Sequence, residues 1–161
     1  MLKFYPAFPP TEDEKYVEQN MVEIRKSGIP DAGVGVFAKQ PITSGRELGY
    51  YRGEILASHD FHARYAAQGY TVYVLVVTDP TDANNPINVD ASEHYNWASR
   101  INSPKGTNKK TNVYFHKDGR VFAKRNIKAG EELFVSYGSI YWSGIRNANK
   151  RKKEDEAKSD K

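Results

Sequence analysis

The sequence predicts a mostly β fold made of small sheets, with few short helices. Apolar and polar residues alternate over short stretches instead of recurring at helical spacing, and turns rich in Gly and Pro separate these stretches. The same stretches are rich in β-branched and aromatic residues, as is typical of strands. A chain of 161 residues suits one domain with some extension.

The expected elements follow from these patterns in chain order. Residues 11–20 have an acidic start that fits either a short helix or a loop. Residues 59–68 have the composition of a helix, and 70–77 is the strongest strand because β-branched and aromatic side chains dominate it. The other strands are expected at 22–25, 36–38, 48–56 (as one strand or two), 87–90, 113–116, 121–123 and 133–136. Turns and loops are expected at 28–35, 42–45, 79–82, 84–86 and 117–120.

Composition excludes several classes of protein. The chain has no cysteine, so it forms neither a disulfide framework nor a cysteine-ligated zinc site. Its longest apolar run is too short to cross a bilayer as a helix, and its Pro-containing start lacks a continuous apolar segment of signal-peptide length. We therefore expect an intracellular protein without membrane contact.

The net charge of +4 is concentrated at the end of the sequence. Seven Lys or Arg and four Asp or Glu lie between 146 and 161. This tail has no apolar periodicity and is expected to be partly disordered. Its basic cluster at 150–153 fits a solvated tail, nuclear import or contact with nucleic acid.

Three familiar site motifs are missing from the sequence. Gly33 and Gly35 lack the third glycine and the following helix of the dinucleotide-binding fingerprint. The histidines, at 59, 62, 94 and 116, do not have the spacing of a ligand set, so no metal is expected. No Gly-x-Ser-x-Gly elbow occurs, so a hydrolase nucleophile has no support.

Four other motifs occur in a defined order. They are SGIPDAGVGVFA at 27–38, Gly45 followed by YRGE at 51–54, NWASRINS at 96–103, and IKAGEEL at 127–133 leading to SYG at 136–138. In this order and at this spacing they resemble the SET domain of protein lysine methyltransferases over residues 22–142. The SGIP lead and the Asn-Trp pair look closest to the PR-type subfamily or to protist and viral relatives.

The resemblance implies the SET-domain β-clip fold, in which small curved sheets surround a pseudoknot. The segment of Asn102 would be threaded beneath the segment of Tyr137, an arrangement that is rare among proteins. It also divides the chain into an N-terminal extension at 1–21, the SET domain at 22–142 and a charged tail at 143–161.

The resemblance assigns the catalytic side chains. Tyr137 matches the family's catalytic tyrosine, and Tyr51 matches a position that lines the lysine channel. A lysine amine has a pKa of about 10.4 and must be neutral to accept a methyl group, so a channel that excludes water favours the reaction. Either Tyr114 or Phe115 is expected to complete the channel wall, and Val135 occupies the position that often tunes how many methyl groups are added.

The resemblance also implies S-adenosylmethionine as the cofactor. Glycines would let the backbone approach it, and the Asn102 amide can both donate and accept a hydrogen bond. Ser103 stands where active members commonly have histidine, and Arg100 stands where an apolar aromatic residue is usual. The expected cofactor-binding residues are Gly33, Gly35, Val36, Phe37, Asn102, Ser103, Tyr137, Tyr141 and Trp142.

The function expected from the resemblance is S-adenosylmethionine-dependent protein-lysine N-methylation, acting on a histone tail in the nucleus. Three alternatives stay open: a PR-like domain that binds proteins without turnover, favoured by Ser103, a lysine methyltransferase with a non-histone substrate, and a nucleic-acid-binding protein driven by the tail. A basic peptide needs an acidic surface. The carboxylates available for it are Glu47, Glu54, Asp79, Asp82, Asp90 and Glu93.

Overall fold

The computed structural model describes residues 2–57, 60, 63 and 73–136. A short helix, α1 (Glu12–Tyr16), continues into a π-helical turn (Val17–Met21), and a 3-10 turn (Trp97–Arg100) follows later in the chain. The strands within the described residues are β1 (Phe4–Tyr5), β2 (Val22–Lys26), β3 (Val34–Ala38), β4 (Glu47–Tyr50), β5 (Gly53–Leu56), β6 (Val74–Asp79), β7 (Asp82–Asp90), β8 (Val113–Phe115) and β9 (Arg120–Ala123).

The strands form three small antiparallel sheets. One sheet has the order β1-β5-β7-β6, the second pairs β2 with β3, and the third has the order β4-β9-β8. The predicted fold class, small sheets with little helix, is confirmed. The stretch 48–56 forms two strands that belong to different sheets.

A capping box begins α1. The Thr11 hydroxyl accepts a hydrogen bond from the Glu14 amide at 3.1 Å, and the Glu14 carboxylate accepts one from the Thr11 amide at 3.3 Å. Two amide groups that the first turn would leave unpaired are thereby satisfied. Of the two alternatives for 11–20, the short helix is the one observed.

Two expectations about strands are wrong. The loop expected at 84–86 lies inside β7, where Pro86 pairs with Thr78 of β6. Strand β5 pairs with β7 only at 88–90, so Pro86 has no second strand beside it within the described residues, and its missing N–H is tolerated there. The strand expected at 133–136 makes one isolated bridge, between Phe134 and Asn102, instead of a ladder, because its alternate residues bond to different neighbours.

Several predicted features lie outside the described residues. These are most of the helix at 59–68, the first part of the strand at 70–77, and the tail at 143–161. No helix within 2–57 and 73–136 is long and apolar enough to span a membrane.

The buried apolar residues form two clusters. The larger one joins the β2-β3 and β4-β9-β8 sheets to the 3-10 turn, and the smaller one contains Tyr5, Tyr51, Val77, Val89 and Ala91. Phe115 packs against both clusters. The segment before residue 22 contributes Tyr5, Val17 and Met21 to these clusters.

Candidate functional site

A closed turn joins β2 to β3 in the first motif. The Ser27 amide donates to the Gly33 carbonyl at 2.9 Å, and the turn inside it places Asp31 and Gly33 in the left-handed region, with φ of 64° and 71°. Glycine adopts this conformation without strain. A side chain at Gly33 would meet no atom within 4 Å, so the space beside its backbone is open.

A buried carboxylate joins three of the four motifs. Glu132, 8% exposed, accepts hydrogen bonds from the Ser27 hydroxyl at 2.7 Å, the Gly28 amide at 3.0 Å and the Asn102 side-chain amide at 3.3 Å. A Cβ at Gly35 would overlap the Glu132 carboxylate and lie 3.1 Å from Asn102 Nδ2. We call these five residues the Glu132 junction. Gly35 is a glycine because the carboxylate occupies the place of its side chain.

The chain that leads to Tyr137 is held from two sides. On one side the Leu133 amide donates to the Val36 carbonyl at 2.7 Å, and on the other the Val135 amide donates to the Asn102 carbonyl at 3.0 Å. Asn102 also forms a parallel bridge with Phe134, and its side-chain amide donates to the Val34 carbonyl at 2.9 Å. This crossing is the part of the expected pseudoknot that the described residues contain.

Asn112 supports the same segment. Its buried side chain donates to the Glu132 carbonyl at 2.8 Å and accepts from the Phe134 amide at 2.8 Å, so it substitutes for a paired strand. An unpaired buried backbone group would cost about 1–3 kcal/mol. Asn112 therefore satisfies two backbone groups that no strand within 2–57 and 73–136 reaches.

Asn96 links the third motif to the second. Its side chain donates to the Tyr50 carbonyl at 2.8 Å and accepts from the Ala98 amide at 3.3 Å, which caps the 3-10 turn. The backbone of Tyr51 is fixed from the opposite side, since its amide donates to the Gly119 carbonyl at 2.8 Å. Tyr51 is thereby placed by contacts from two distant parts of the chain.

Among the expected channel residues, the structure brings together Tyr51 and Phe115. Their rings meet edge to face with centroids 5.6 Å apart, and Tyr51 is 1% exposed. Tyr114 is 44% exposed and stacks on Phe122 instead. Val135 is buried in the larger cluster, which Phe115 also contacts.

The N-terminal segment supports the Tyr51 region. Arg52 binds the Glu14 carboxylate through two hydrogen bonds of 2.7 and 2.9 Å, and both side chains are mostly buried. The Tyr5 hydroxyl donates to the Asp118 carbonyl at 2.5 Å. Burial, reinforced by the negative charge of Asp118, raises the pKa of Tyr5 to about 12.

Asp118 organises the turn between β8 and β9. Its carboxylate lies 2.9 Å from His116 Nδ1 and accepts from Arg120 Nε at 2.8 Å and from the Arg120 amide at 3.0 Å. Burial alone would raise the pKa of Asp118, but the hydrogen bonds from Arg120 and His116 outweigh it and lower the pKa. This turn carries Gly119, which supports Tyr51.

Arg100, in place of the usual aromatic residue, packs between two tyrosines. Its guanidinium lies 3.8 Å from the ring centroid of Tyr73 and 3.8 Å from that of Tyr95. Planar guanidinium groups stack well on aromatic faces. Arg100 therefore fills this position by stacking on both rings.

The remaining cofactor candidates occupy different surroundings. Val36 is fully buried in the larger cluster, while Phe37 lies under the Arg25 guanidinium, 3.5 Å from its ring centroid. The Ser103 hydroxyl accepts from the Lys105 amide at 3.2 Å and so caps the next turn. Tyr137, Tyr141 and Trp142 lie outside the described residues.

More than half of the chain matches the model of one protein family. The model of the SET domain family matches residues 33–138. The chain belongs to the SET domain family. The matched range contains Gly35, Asn102 and Glu132, the residues through which three of the motifs meet.

A relative of this chain is named as a lysine methyltransferase. Histone-lysine N-methyltransferase set-17 of Caenorhabditis elegans is 30% identical over 139 residues, which is 83% of this chain and 47% of the relative. The SET domain chain thus spans about half the length of that relative.

Solved structures share the SET domain fold. The methyltransferase domain of human PR domain-containing protein 2 superposes with a TM-score of 0.58 and 21% identity, over 80% of this chain and 86% of that one. A polycomb repressive complex 2 of Chaetomium thermophilum, in an autoinhibited conformation bound to S-adenosylmethionine, superposes with a TM-score of 0.59 and 24% identity, over 83% of this chain and 17% of that one.

The six acidic residues do not form one surface in this SET domain. Glu54 and Asp90 are buried at opposite positions of the paired strands β5 and β7. The Glu47 carboxylate lies 3.0 Å from the Arg120 guanidinium. The other three, Asp79, Asp82 and Glu93, are partly or fully exposed. Within residues 2–57 and 73–136, no group of three or more His, Asp or Glu side chains could hold a metal ion.

Sequence reasoning missed Glu132 and Asn112. Each side chain satisfies partners far away in the chain, and a single sequence contains no local signal for such contacts. The GEEL motif offered one indication for Glu132, since one of its two glutamates precedes an apolar stretch directly. Val34 was also missed; it is 46% exposed and lies between the two glycines.

Proposed function

We propose that this SET domain is an S-adenosylmethionine-dependent protein-lysine N-methyltransferase and that its substrate is a histone tail. The observation that carries the proposal is the crossing of Asn102 with the segment 132–135, which leads directly into Tyr137. Set-17, a relative named as a histone-lysine N-methyltransferase, supports the reaction and the substrate class.

The residues around Asn102 fit the proposed cofactor. Asn102 donates through Nδ2 to Val34 and Glu132, and within the described residues no donor reaches its Oδ1, which leaves an acceptor for an ammonium group. The exposed Val34 side chain and the open space at Gly33 suit the apolar and backbone-contacting parts of such a ligand. S-adenosylmethionine would supply an electrophilic methyl group on a sulfonium.

Tyr51 and Phe115 would form the wall of the lysine channel. Their edge-to-face contact closes one side of the space to water, and a desolvated amine loses its proton more easily. We assign the wall to Phe115 and not to Tyr114, because Tyr114 is directed to the exposed side of β8. Val135 would act through the packing of Phe115, which touches the cluster that contains Val135.

Tyr137 would orient the lysine amine through its hydroxyl. Hydrogen bonds along 132–135 fix the backbone shortly before Tyr137. A catalytic group that is already held in its reacting orientation can raise the rate strongly. Tyr141 and Trp142 would close the cofactor site. Gly35 and Val36 would act by packing, and Phe37 and Ser103 would border the site.

A nuclear location and an acidic docking surface belong to the same proposal. The exposed carboxylates of Asp82 and Glu93 and the partly exposed one of Asp79 are available to attract a basic peptide. The basic cluster at 150–153 would serve nuclear import or contact nucleic acid.

The test is mass spectrometry of purified histones incubated with S-adenosylmethionine and the protein. We expect methyl increments with the native chain and loss of them with Tyr137→Phe. Tyr114→Phe is the matched control, because it removes the same hydroxyl from a tyrosine that is 44% exposed and faces away from Tyr51.

Three results would change the proposal. Methylation of other proteins but no histone would overturn the histone substrate alone. Calorimetric binding of the cofactor without turnover on any protein of a nuclear extract would favour the PR-like binding domain, the alternative that Ser103 in place of histidine also favours. Absence of both binding and turnover would overturn the enzyme.

A further inference from the structure

Two neighbouring hollows lie beside the loop that follows Ser103. Their volumes are about 560 and 570 Å³, and both are lined by Thr107, Lys109, Lys110 and Arg125. Phe37 is the single expected cofactor residue in either lining. The hollows therefore form a surface that adjoins the proposed cofactor site at Phe37 and extends away from it along the loop.

The side chains of this surface are strongly basic. We define the basic face as Lys105, Lys109, Lys110, Lys124 and Arg125, which line one or both hollows. The carboxylates in the linings are Glu131, which pairs with Arg125 at 3.2 Å, and Glu132, which is occupied in the Glu132 junction. Positive charge therefore exceeds negative charge in the hollows.

Three lysines of the basic face are available to a ligand. Lys109, Lys110 and Lys124 are exposed, and within the described ranges no carboxylate lies within 4.0 Å of their ammonium groups. Lys124 donates to the Thr111 hydroxyl at 2.8 Å, a bond that leaves two of its three N–H groups for an anion.

The backbone of the basic face is well defined. The Thr107 hydroxyl donates to the Pro104 carbonyl at 2.6 Å and accepts from the Lys109 amide at 3.0 Å. The Lys124 amide donates to the Asn112 carbonyl at 2.8 Å, which fixes the strand end beside the loop. The lysines thus extend from a folded turn and a strand end.

The chemistry of the basic face matches a duplex phosphate backbone. Phosphates in nucleic-acid complexes are bound by Lys and Arg together with Thr and Asn side chains, and the hollows offer Thr107, Asn108 and Thr111 beside the basic residues. None of the large exposed apolar or aromatic side chains of the described residues lines either hollow. Phe37 and Phe134 do line the first hollow, but each is only 6% exposed, so neither offers an accessible stacking platform for an unpaired base or an apolar wedge for a membrane.

We propose that the basic face binds the phosphate backbone of double-stranded DNA. The choice of DNA over an RNA duplex rests on the proposed histone substrate, whereas the binding itself requires neither cofactor nor methyl transfer. The logarithm of the affinity falls as the logarithm of the salt concentration rises, and each phosphate neutralised by a lysine makes this slope more negative by about 0.9.

The test measures fluorescence anisotropy of a labelled duplex DNA with the full chain, without cofactor, at several salt concentrations. The triple variant K109Q/K110Q/K124Q removes three charges from the basic face. The native chain should lose about 40-fold more affinity than this variant between about 50 and 200 mM salt, because three phosphate contacts are missing from the variant.

A matched control keeps the comparison specific. The variant K3Q/K26Q/K117Q removes the same charge from three other exposed lysines and should retain the native salt slope. Circular dichroism and thermal unfolding of both variants establish that each is folded.

Four outcomes would overturn the proposal. The first two are equal salt slopes for the two triple variants and no duplex binding by the native chain. The third is that neutralising the basic residues at 150–153 abolishes binding while the substitutions in the basic face leave it unchanged. The fourth is tighter binding to anionic vesicles than to DNA. An RNA duplex bound more tightly than DNA would refute the choice of DNA alone. Methylation of histones by the native chain is measured separately, so failure of either proposal leaves the other readable.

Discussion

Replacing Gly35 with alanine should disturb the Glu132 junction through direct overlap. The new methyl group would overlap Glu132 Oε1 and lie 3.0 Å from Glu132 Cδ and 3.1 Å from Asn102 Nδ2. Gly35 does not have a left-handed φ, so backbone strain is no part of the effect. The carboxylate must move, and its hydrogen bonds to Ser27 and Gly28 must lengthen or break.

The magnitudes follow from the contacts of Glu132. Glu132→Ala leaves three donors without their acceptor, at a cost of about 3–5 kcal/mol in the free energy of unfolding. Gly35→Ala should cost about 2–4 kcal/mol, from overpacking and weakened hydrogen bonds. In the double variant the new methyl group occupies space that the carboxylate has left. Its cost should therefore be about 2 kcal/mol smaller than the sum of the two single costs.

The assay is urea unfolding of the native chain, both single variants and the double variant. Gly28→Ala is the matched glycine control, since a Cβ there would lie 3.6 Å from Glu132 Oε2, an ordinary contact. Glu131→Ala is the carboxylate control: its pair with Arg125 is partly exposed and contributes about 0–1 kcal/mol, and the carboxylate accepts one further hydrogen bond, from the Lys128 amide at 3.1 Å, so its loss should stay well below that of Glu132→Ala.

Additive single costs would refute the reasoning. If the double variant lost the sum of the two single losses within about 0.5 kcal/mol, the methyl group introduced at position 35 and the carboxylate would not compete for one space. A Gly28→Ala loss as large as that of Gly35→Ala would also refute it, since the explanation would then be a general cost of replacing glycine in this turn.

Three further predictions test other contacts. Asp118→Asn should reduce the loss of stability on acidification, because the hydrogen bonds from Arg120 hold the pKa of Asp118 below its usual value. The ionised carboxylate therefore stabilises the fold above about pH 4, and this contribution is lost as the pH falls below that value. Urea unfolding of both chains at pH 6 and pH 3 measures the difference. Phe115→Ala should lower the rate of methyl transfer by about 100-fold, because Tyr51 would lose the ring that holds it in place. Tyr114→Ala, the same change at the neighbouring exposed residue, should leave the rate near the native value. Arg100→Lys should cost about 1 kcal/mol in thermal unfolding because the lysine cannot stack between two tyrosine rings, and an unchanged melting temperature would contradict that packing.

Local pattern predicted the strands that have regular partners. Alternation located β2, and an apolar stretch located 36–38 of β3, whose first two residues were expected in the turn at 28–35. The Gly-containing turn at 117–120 located the hairpin of β8 and β9. Local pattern failed where pairing is irregular. Pro86 looked like a loop residue because a single sequence does not reveal that, among the residues the structure describes, only β6 pairs with β7 at this point. The stretch 133–136 looked like a strand although its bonds alternate between neighbours.

The structure brings together Gly35 and Asn102, two of the expected cofactor-binding residues, but for a reason that the sequence does not contain. The motifs placed Gly35, Asn102 and Tyr51 in one functional region, but Gly35 was explained by close approach of the backbone to a ligand. In the structure its missing side chain makes room for Glu132, which lies 97 positions away in the printed numbering. Burial, hydrogen-bond partners and this overlap depend on long-range packing, and composition or periodicity does not contain that information.

The Glu132 junction explains why motifs so distant along the chain must occur together. A glycine at 35 without a carboxylate at 132 would leave a gap, and a carboxylate at 132 without the glycine would overlap a side chain. The Asn102 amide completes the arrangement, since it binds the carboxylate and the Val34 carbonyl at the same time. We therefore expect a change in any one of the three residues to shift the segment that leads into Tyr137. The junction thus ties the stability of the fold to the placement of the proposed catalytic tyrosine, and cofactor affinity should fall in the Gly35 and Glu132 variants before the fold is lost.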